Sequence, residues 1–170
     1  MASFAVFKTA IGECGIAWSN GGVVGFRLPD RDGPSMRRRM ATRFNADESM
    51  PPPGVQDAID AVVRLMTGER EDLTFIQVDL EGVPEFHQRV YDIARTIPPG
   101  ATMTYGEIAG QLGDPGSARA VGQALGQNPI PVIVPCHRVT AAGGKPGGFS
   151  APGGAATKLT LLAIEGAQLF

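Results

Sequence analysis

The 170-residue chain is 43% hydrophobic with a net charge of −2, an ordinary globular composition with room for one domain or two small ones. No apolar run approaches the roughly 18 residues of a membrane span, and Met1-Ala2-Ser3-Phe4 lacks the basic-then-apolar layout of a secretion signal. Cys14 and Cys136 are the only cysteines and make no disulfide framework, so a reducing, cytoplasmic setting is expected.

In chain order, Ser3 to Thr9, Cys14 to Ser19 and Val23 to Leu28 read as a three-stranded meander, with Asn20-Gly21-Gly22 as a turn signal. Ser35 to Phe44 reads as a helix on which Arg37, Arg38 and Arg39 fan over most of the circumference, which favours a solvated face over a DNA-facing patch. After Pro51-Pro52-Pro53, the spacing of Val55, Ile59, Val62, Val63 and Met66 predicts a second helix, and Phe75 to Leu80 a short strand. Gly82 and Pro84 mark a boundary, which divides the chain into an N-terminal α/β domain, 1–82, and a mostly helical domain, 83–170. Residues 1–85 hold 9 Lys/Arg against 13 Asp/Glu, and residues 86–170 hold 6 against 4. So mild an asymmetry means that contact with nucleic acid cannot rest on charge alone.

Phe86, Val90, Ile93, Ala94 and Ile97 give a third helix, stopped by Pro98-Pro99-Gly100. Thr104 with Glu107 forms a capping box for a helix to about Leu112. Gly113-Asp114-Pro115-Gly116 is a turn, and Ser117 is placed to cap a further helix to about Gln127. Two short helices across such a turn read as a helix-turn-helix. The last helix, about Ala155 to Ile164, is expected to bury Leu159, Leu162 and Ala163.

The chemistry concentrates in Asn128-Pro-Ile-Pro-Val-Ile-Val-Pro-Cys-His-Arg-Val139. A thiol attacks only as thiolate, and an unperturbed cysteine is a few per cent ionised near neutrality. Only four residues of the chain are Cys or His, and two of them, Cys136 and His137, are adjacent. That pairing marks Cys136 as a candidate nucleophile with a neighbouring base, whereas Cys14 lies in a strand as a small core residue. Adjacent residues rarely reach one ion, and no other close ligand pair exists, so no metal and no cofactor are expected. Downstream, the glycine-rich stretch 143–154 carries Phe149 and Pro152 and reads as an ordered pocket wall whose backbone approaches a ligand closely. Glu165 is a candidate to orient His137.

Taken in order, the motifs Phe-x-x-x-Val-Tyr, Thr-Tyr-Gly-Glu-Ile-Ala, Arg119-Ala-Val-Gly122, Asn128-Pro129, Pro-Cys-His-Arg-Val and a closing Glu-Gly resemble the O6-alkylguanine-DNA alkyltransferases, also called methylated-DNA–protein-cysteine methyltransferases. The resemblance is strongest over Phe86 to Gly166. It implies an α+β protein with a ribonuclease-H-like N-terminal domain holding a small antiparallel sheet, and a winged-helix-like C-terminal domain. It also implies repair of double-stranded DNA by irreversible, single-turnover transfer of an alkyl group from O6-alkylguanine, with O4-alkylthymine as a further substrate class. The DNA would be bound through its minor groove by a monomer.

The resemblance further implies that Cys136 accepts the alkyl group and that His137, through a water and held by Glu165, generates the thiolate. Asn128 would brace the turn into the site, and Arg119 would fill the gap left by the flipped base. Tyr105 would crowd a phosphate and donate toward the base. Ala120 and Gly122 would let their helix lie close to the groove, and Arg138, Val139, Phe149 and Ser150 would complete the base-binding set, with carbonyls of Cys136 and Val139 taking the exocyclic amine. Phe149 stands where many relatives carry tyrosine. Two other readings compete: a catalytically silent lesion binder, which intact Cys136 opposes, and a transcription regulator, for which Ala120 to Gly126 offers a single polar reader, Gln123.

Overall fold

In the computed structural model, which describes residues 1–30 and 35–167, the chain opens with β1 (Ala2–Thr9), β2 (Gly12–Ser19) and β3 (Gly22–Arg27). The links are two residues long, and Gly12 and Gly22 take positive φ at the strand starts, which sets the antiparallel register Phe7 with Cys14 and Trp18 with Val23. The expected meander is present, but the sheet is not purely antiparallel. A fourth strand, β4 (Ala46–Glu48), pairs in parallel with β1 and gives the order β3-β2-β1-β4. Ala-Asp-Glu has no strand signature of its own. It is brought to the edge by α1 (Met36–Phe44), which is capped at its start by Ser35 and released by Asn45 in the left-handed region.

Helix α1 packs Met36 and Met40 against Phe4 and Ala17. Two glycines make that approach possible. A Cβ on Gly15 would meet the Met40 side chain at 2.5 Å, and one on Gly25 would meet the Phe44 ring at 2.1 Å. The arginine face is only partly free, since Arg37 pairs with Glu48 and Arg39 with Asp30. Helix α2 (Pro53–Met66) buries Val55, Ile59, Val62, Leu65 and Met66 on one stripe, each worth roughly 1.5–3 kcal/mol when fully removed from water. The expected strand at Phe75–Leu80 is reduced to a single bridge between Val78 and Val23. Two backbone hydrogen bonds (Val23 N to Gln77 O, Asp79 N to Val23 O) form there, and Phe75 is exposed.

By internal packing the chain forms two units, Met1–Leu80 with Pro129–Ile133, and Glu81–Asn128 with Val134 onward. The segment 129–133 therefore sits with the first unit, where the Pro129 carbonyl accepts from Phe26 N. Within it Val132 adopts φ +75, an expensive conformation for a β-branched residue.

The second unit holds α3 (Glu85–Ala94), α4 (Tyr105–Gln111), α5 (Ala118–Gly126) and α6 (Gly154–Ile164), with a parallel pair of short strands, β5 (Met103–Thr104) and β6 (Val139–Thr140). Both halves of the Thr104–Glu107 capping box form. Ser117 does not cap α5. Its hydroxyl donates to the Asp114 carbonyl, closing a 3-10 turn at Pro115–Ser117 that leads into the helix. Tyr91 of α3 is fully buried and donates to the Ala124 carbonyl of α5 at 2.6 Å, fixing one helix to the other. On α6 the buried positions are Lys158, Leu161 and Leu162, while Leu159 and Ala163 are exposed. The apolar stripe is thus rotated from the expected one, because a lysine occupies its i−3/i−4 position. No helix of the described residues is long and apolar enough to cross a membrane.

Gly25→Ala should destabilise the protein by about 1–3 kcal/mol through overpacking against Phe44. Urea denaturation should show a lowered midpoint, largely recovered by adding Phe44→Leu. A single variant as stable as the parent would contradict this packing.

Candidate active site

Cys136 opens a 3-10 turn, Cys136–Arg138, directly after Pro135. Its amide bends back to the Val134 carbonyl at 2.7 Å. Asn128 holds this bend from the end of α5: its Nδ2 donates to the same Val134 carbonyl at 2.9 Å, and its side chain also hydrogen-bonds Cys136. A proline cannot donate and an apolar run has no side chains to brace a bend, so Asn128 supplies the donor that the local sequence lacks.

His137, Arg138 and Glu165 form one buried cluster. The Glu165 carboxylate receives His137 Nε2 at 2.9 Å, Arg138 Nε at 2.9 Å and an Arg138 terminal nitrogen at 2.8 Å. The remaining terminal nitrogen of Arg138 donates to the Ile97 carbonyl at 2.7 Å. Although burial alone would raise Glu165, these hydrogen bonds and charges hold it down at about 2. An ionised carboxylate accepts only, so His137 carries its proton on Nε2. The other ring nitrogen, Nδ1, is then an unprotonated acceptor, buried without a protein partner. Burial pulls the imidazole below its ordinary value against the pull of Glu165, so the ring is neutral near pH 7.

Burial pushes the Cys136 thiol up, opposed by the Asn128 hydrogen bond, the charge of Lys158 and backbone amides. The adjacency of Cys and His therefore does not yield a resting thiolate. The geometry instead provides a protonated nucleophile beside a neutral base. Cys14 is inert by contrast, fully buried and raised to about 12 by desolvation.

Cys136 forms the floor of a cavity of about 620 Å³. Tyr105 of α4 and Ala118, Arg119, Gly122, Leu125 and Gly126 of α5 line one side, and Gly148, Phe149 and Ser150 the other. Arg119 is exposed, and Ala120 is partly buried beside it on the same helix. Tyr105 joins these walls. Its hydroxyl takes a hydrogen bond from the Gly148 backbone, and its ring lies against Gly122, where a Cβ would stand 3.9 Å away.

The expected residues Cys136, Tyr105, Arg119, Gly122, Phe149 and Ser150 thus share one cavity, with His137, Glu165 and Asn128 directly behind it. Arg138 lies outside the cavity lining. It is 4% exposed and its guanidinium is bonded to Glu165 and Ile97, so it supports the cluster. The Cys136 and Val139 carbonyls each already accept an internal hydrogen bond, from Val139 N and from Lys158 Nζ respectively, which leaves each a second lone pair. Sequence reasoning missed Lys158. The signal was available, because Lys158 lies three and four residues before Leu161 and Leu162 and so shares their buried face.

The family model for the DNA-binding domain of 6-O-methylguanine DNA methyltransferase matches residues 85–167. A methylated-DNA–protein-cysteine methyltransferase of Methanothermobacter thermautotrophicus is 32% identical over 157 residues, covering 92% of this chain and 81% of that protein. One from Mycobacterium tuberculosis is 47% identical over 116 residues, 68% of each chain. The crystal structure of Mycobacterium tuberculosis OGT in complex with DNA superimposes with a TM-score of 0.74 at 35% identity, covering 96% of this chain and 92% of that one.

The cluster sets an acid sensitivity. Glu165 is held at about 2, below its ordinary 4.5, so it contributes stability that is present above pH 4.5 and lost as pH falls toward 2. His137 is also depressed, so below 6.5 the unfolded chain binds a proton that the native ring resists, and stability falls there too. Glu165→Gln should remove the lower window and, by leaving buried Arg138 unpaired, cost roughly 3–5 kcal/mol at pH 7. Urea midpoints between pH 3 and 8 check both, and an unchanged acid limb in the variant would contradict the assignment. On the length of these matches and on the site they overlie, the chain belongs to the methylated-DNA–protein-cysteine methyltransferase family.

Proposed function

We propose that this protein repairs DNA by moving a methyl or larger alkyl group from O6-alkylguanine onto its own Cys136, once per chain. Repair by alkyl transfer follows from the family. The assignment of the acceptor is carried by one observation: Cys136 lies at the floor of the cavity with a neutral His137 behind it, whose free Nδ1 faces no protein donor. The thiol proton passes to His137 Nδ1 through a water, Glu165 stabilises the imidazolium, and the sulfur attacks the alkyl carbon. The carbon–oxygen bond breaks, and its electron pair leaves with guanine.

A base inside a duplex presents no in-line path to the sulfur, so the lesion must leave the stack. Arg119, exposed at the rim, would occupy the gap, and Ala120 and Gly122 give α5 the slim profile a minor groove admits. Tyr105 accepts from Gly148 and so keeps its own proton to donate toward the base. The Ser150 amide would face O6, and Val139 the exocyclic amine. In this reading residues 1–82 form a ribonuclease-H-like domain, and residues 83–170 form the winged-helix-like unit that binds DNA and accepts the alkyl group. The protein works as a cytoplasmic monomer, and O4-alkylthymine is a further substrate.

A thioether has no polarised centre for water to attack, and Cys14 is buried, so the sulfur is not regenerated. Titrating methylated duplex into the protein should plateau at about one methyl per chain, located on the Cys136 peptide by mass. Cys136→Ser should abolish transfer while DNA affinity stays within a few-fold. Repeated turnover, or label on Cys14, would overturn the mechanism.

Arg119→Ala should slow repair of duplex at least tenfold more than reaction with the free base O6-methylguanine, because only the duplex reaction includes flipping. Single-turnover rates on both substrates test this. Equal losses would move Arg119 into the chemistry.

A further inference from the structure

Lys158 is the one fully buried ammonium among the described residues. Its Nζ donates to the Val139 carbonyl and to the Gly148 carbonyl at 3.1 Å, and it sits 5.9 Å from the centre of the Tyr105 ring. No carboxylate of the described residues pairs with it, since Glu165 is engaged by His137 and Arg138. Carbonyl dipoles and a ring face only partly replace the water an ammonium loses on burial, so such a group needs a nearby negative charge.

The titratable groups that act on Lys158 are Cys136 and His137 from the 3-10 turn and Tyr105 from α4. His137 is neutral or positive and Tyr105 is a neutral phenol near pH 7, which leaves the Cys136 sulfur, once ionised in the reaction, as the one available anion among these groups.

We infer that Lys158 is the counter-cation of the Cys136 thiolate: its ammonium, held between the Val139 and Gly148 carbonyls, offsets the sulfur's charge while the thiolate exists and loses that partner when the sulfur becomes a thioether. Lys158 is a positioning residue, since it donates to the Val139 and Gly148 carbonyls and does not line the cavity. The inference rests on Cys136 being the acceptor. Its consequence follows from charge balance: the thiolate forms more readily with Lys158 than without it. Desolvation pulls Lys158 down to about 8, and charge on an ionised Cys136 opposes that pull. Once the S–C bond has replaced S–H and the proton has left through His137, no thiolate can form and Lys158 has no anionic partner at this position.

The test uses the full chain. In Lys158→Met, which keeps the stem and removes the charge, the pH midpoint of Cys136 alkylation by iodoacetamide should rise by at least about one unit, a tenfold loss of thiolate at a given pH. The modification is read as added mass on the Cys136 peptide. An unchanged midpoint overturns the inference, since a merely structural lysine would not move it. Should that variant not fold, Lys158→Gln is read in the same way: its Cys136 alkylation midpoint should rise by at least about one unit, and an unchanged midpoint overturns the inference. Iodoacetamide requires no DNA, so a failure of methyl transfer from O6-methylguanine DNA would sink the repair function separately.

Discussion

The Glu165 carboxylate, closing α6, accepts from His137 and twice from Arg138, two consecutive residues of the turn that begins with Cys136. One side chain therefore ties the end of α6 to the nucleophile's turn and decides which imidazole nitrogen is free. A buried ion pair is weak evidence of net stability, because desolvating both partners offsets much of their attraction. Its return here is specificity. With Arg138 fixed to both carboxylate oxygens, Glu165 is held in place, and His137 cannot adopt the other neutral tautomer without giving up its Nε2–H bond to Glu165. Arg138 further reaches the Ile97 carbonyl just beyond α3, so the same cluster also ties α3 to the turn.

Burial governs the sulfur as well. A thiol kept low by a neighbouring cation would be ionised at rest and open to any electrophile. In this site desolvation raises the thiol, and the stabilising groups (Asn128, the backbone amides and Lys158) are arranged around the position where negative charge develops. Preorganised donors of that kind stabilise a charge without reorganising when it appears. The neutral base and the protonated nucleophile are matched, so ionisation accompanies the reaction and does not precede it.

Much of this was legible in the chain. The meander, the capping box at Thr104 and Glu107, and the helices at Val55–Met66 and Phe86–Ile97 follow from local pattern and end signals, which the structure reproduces within a few residues. What escaped is non-local. Strand β4 exists because α1 and Asn45 deliver three unremarkable residues to the β1 edge. The segment after Phe75 makes one bridge and is otherwise held to the β2–β3 turn by side chains, with Ser19 bonded to Asp79 and Gln77 to Gly21. Arg138 beside a nucleophile invites a ligand contact on chemistry alone, and only the position of Glu165, 27 residues on, turns it inward. Lys158 was hidden by the ordinary assumption that lysines face water, which held against the helical spacing of its neighbours.

The glycine content shares in that non-local logic. Gly147 takes φ +76, and a Cβ there would stand 2.5 Å from the Tyr105 hydroxyl, so the loop can close on Tyr105 only because that side chain is absent. Gly122 leaves the opposite face of the same ring open to α5. Tyr105 is thereby the meeting point of α4, α5 and the loop, and Lys158 clamps the loop from beneath through the Gly148 carbonyl. Gly148 is held by its amide on Tyr105 and its carbonyl on Lys158, so the peptide units on both sides of its Cα are fixed, and the next two residues, Phe149 and Ser150, line the cavity. A loop with so much glycine would be floppy if its backbone groups were unpaired. Pairing both backbone groups of one residue fixes two successive peptide units and converts the loop into a wall, with Phe149 across the cavity from α5 and no tyrosine hydroxyl at that position.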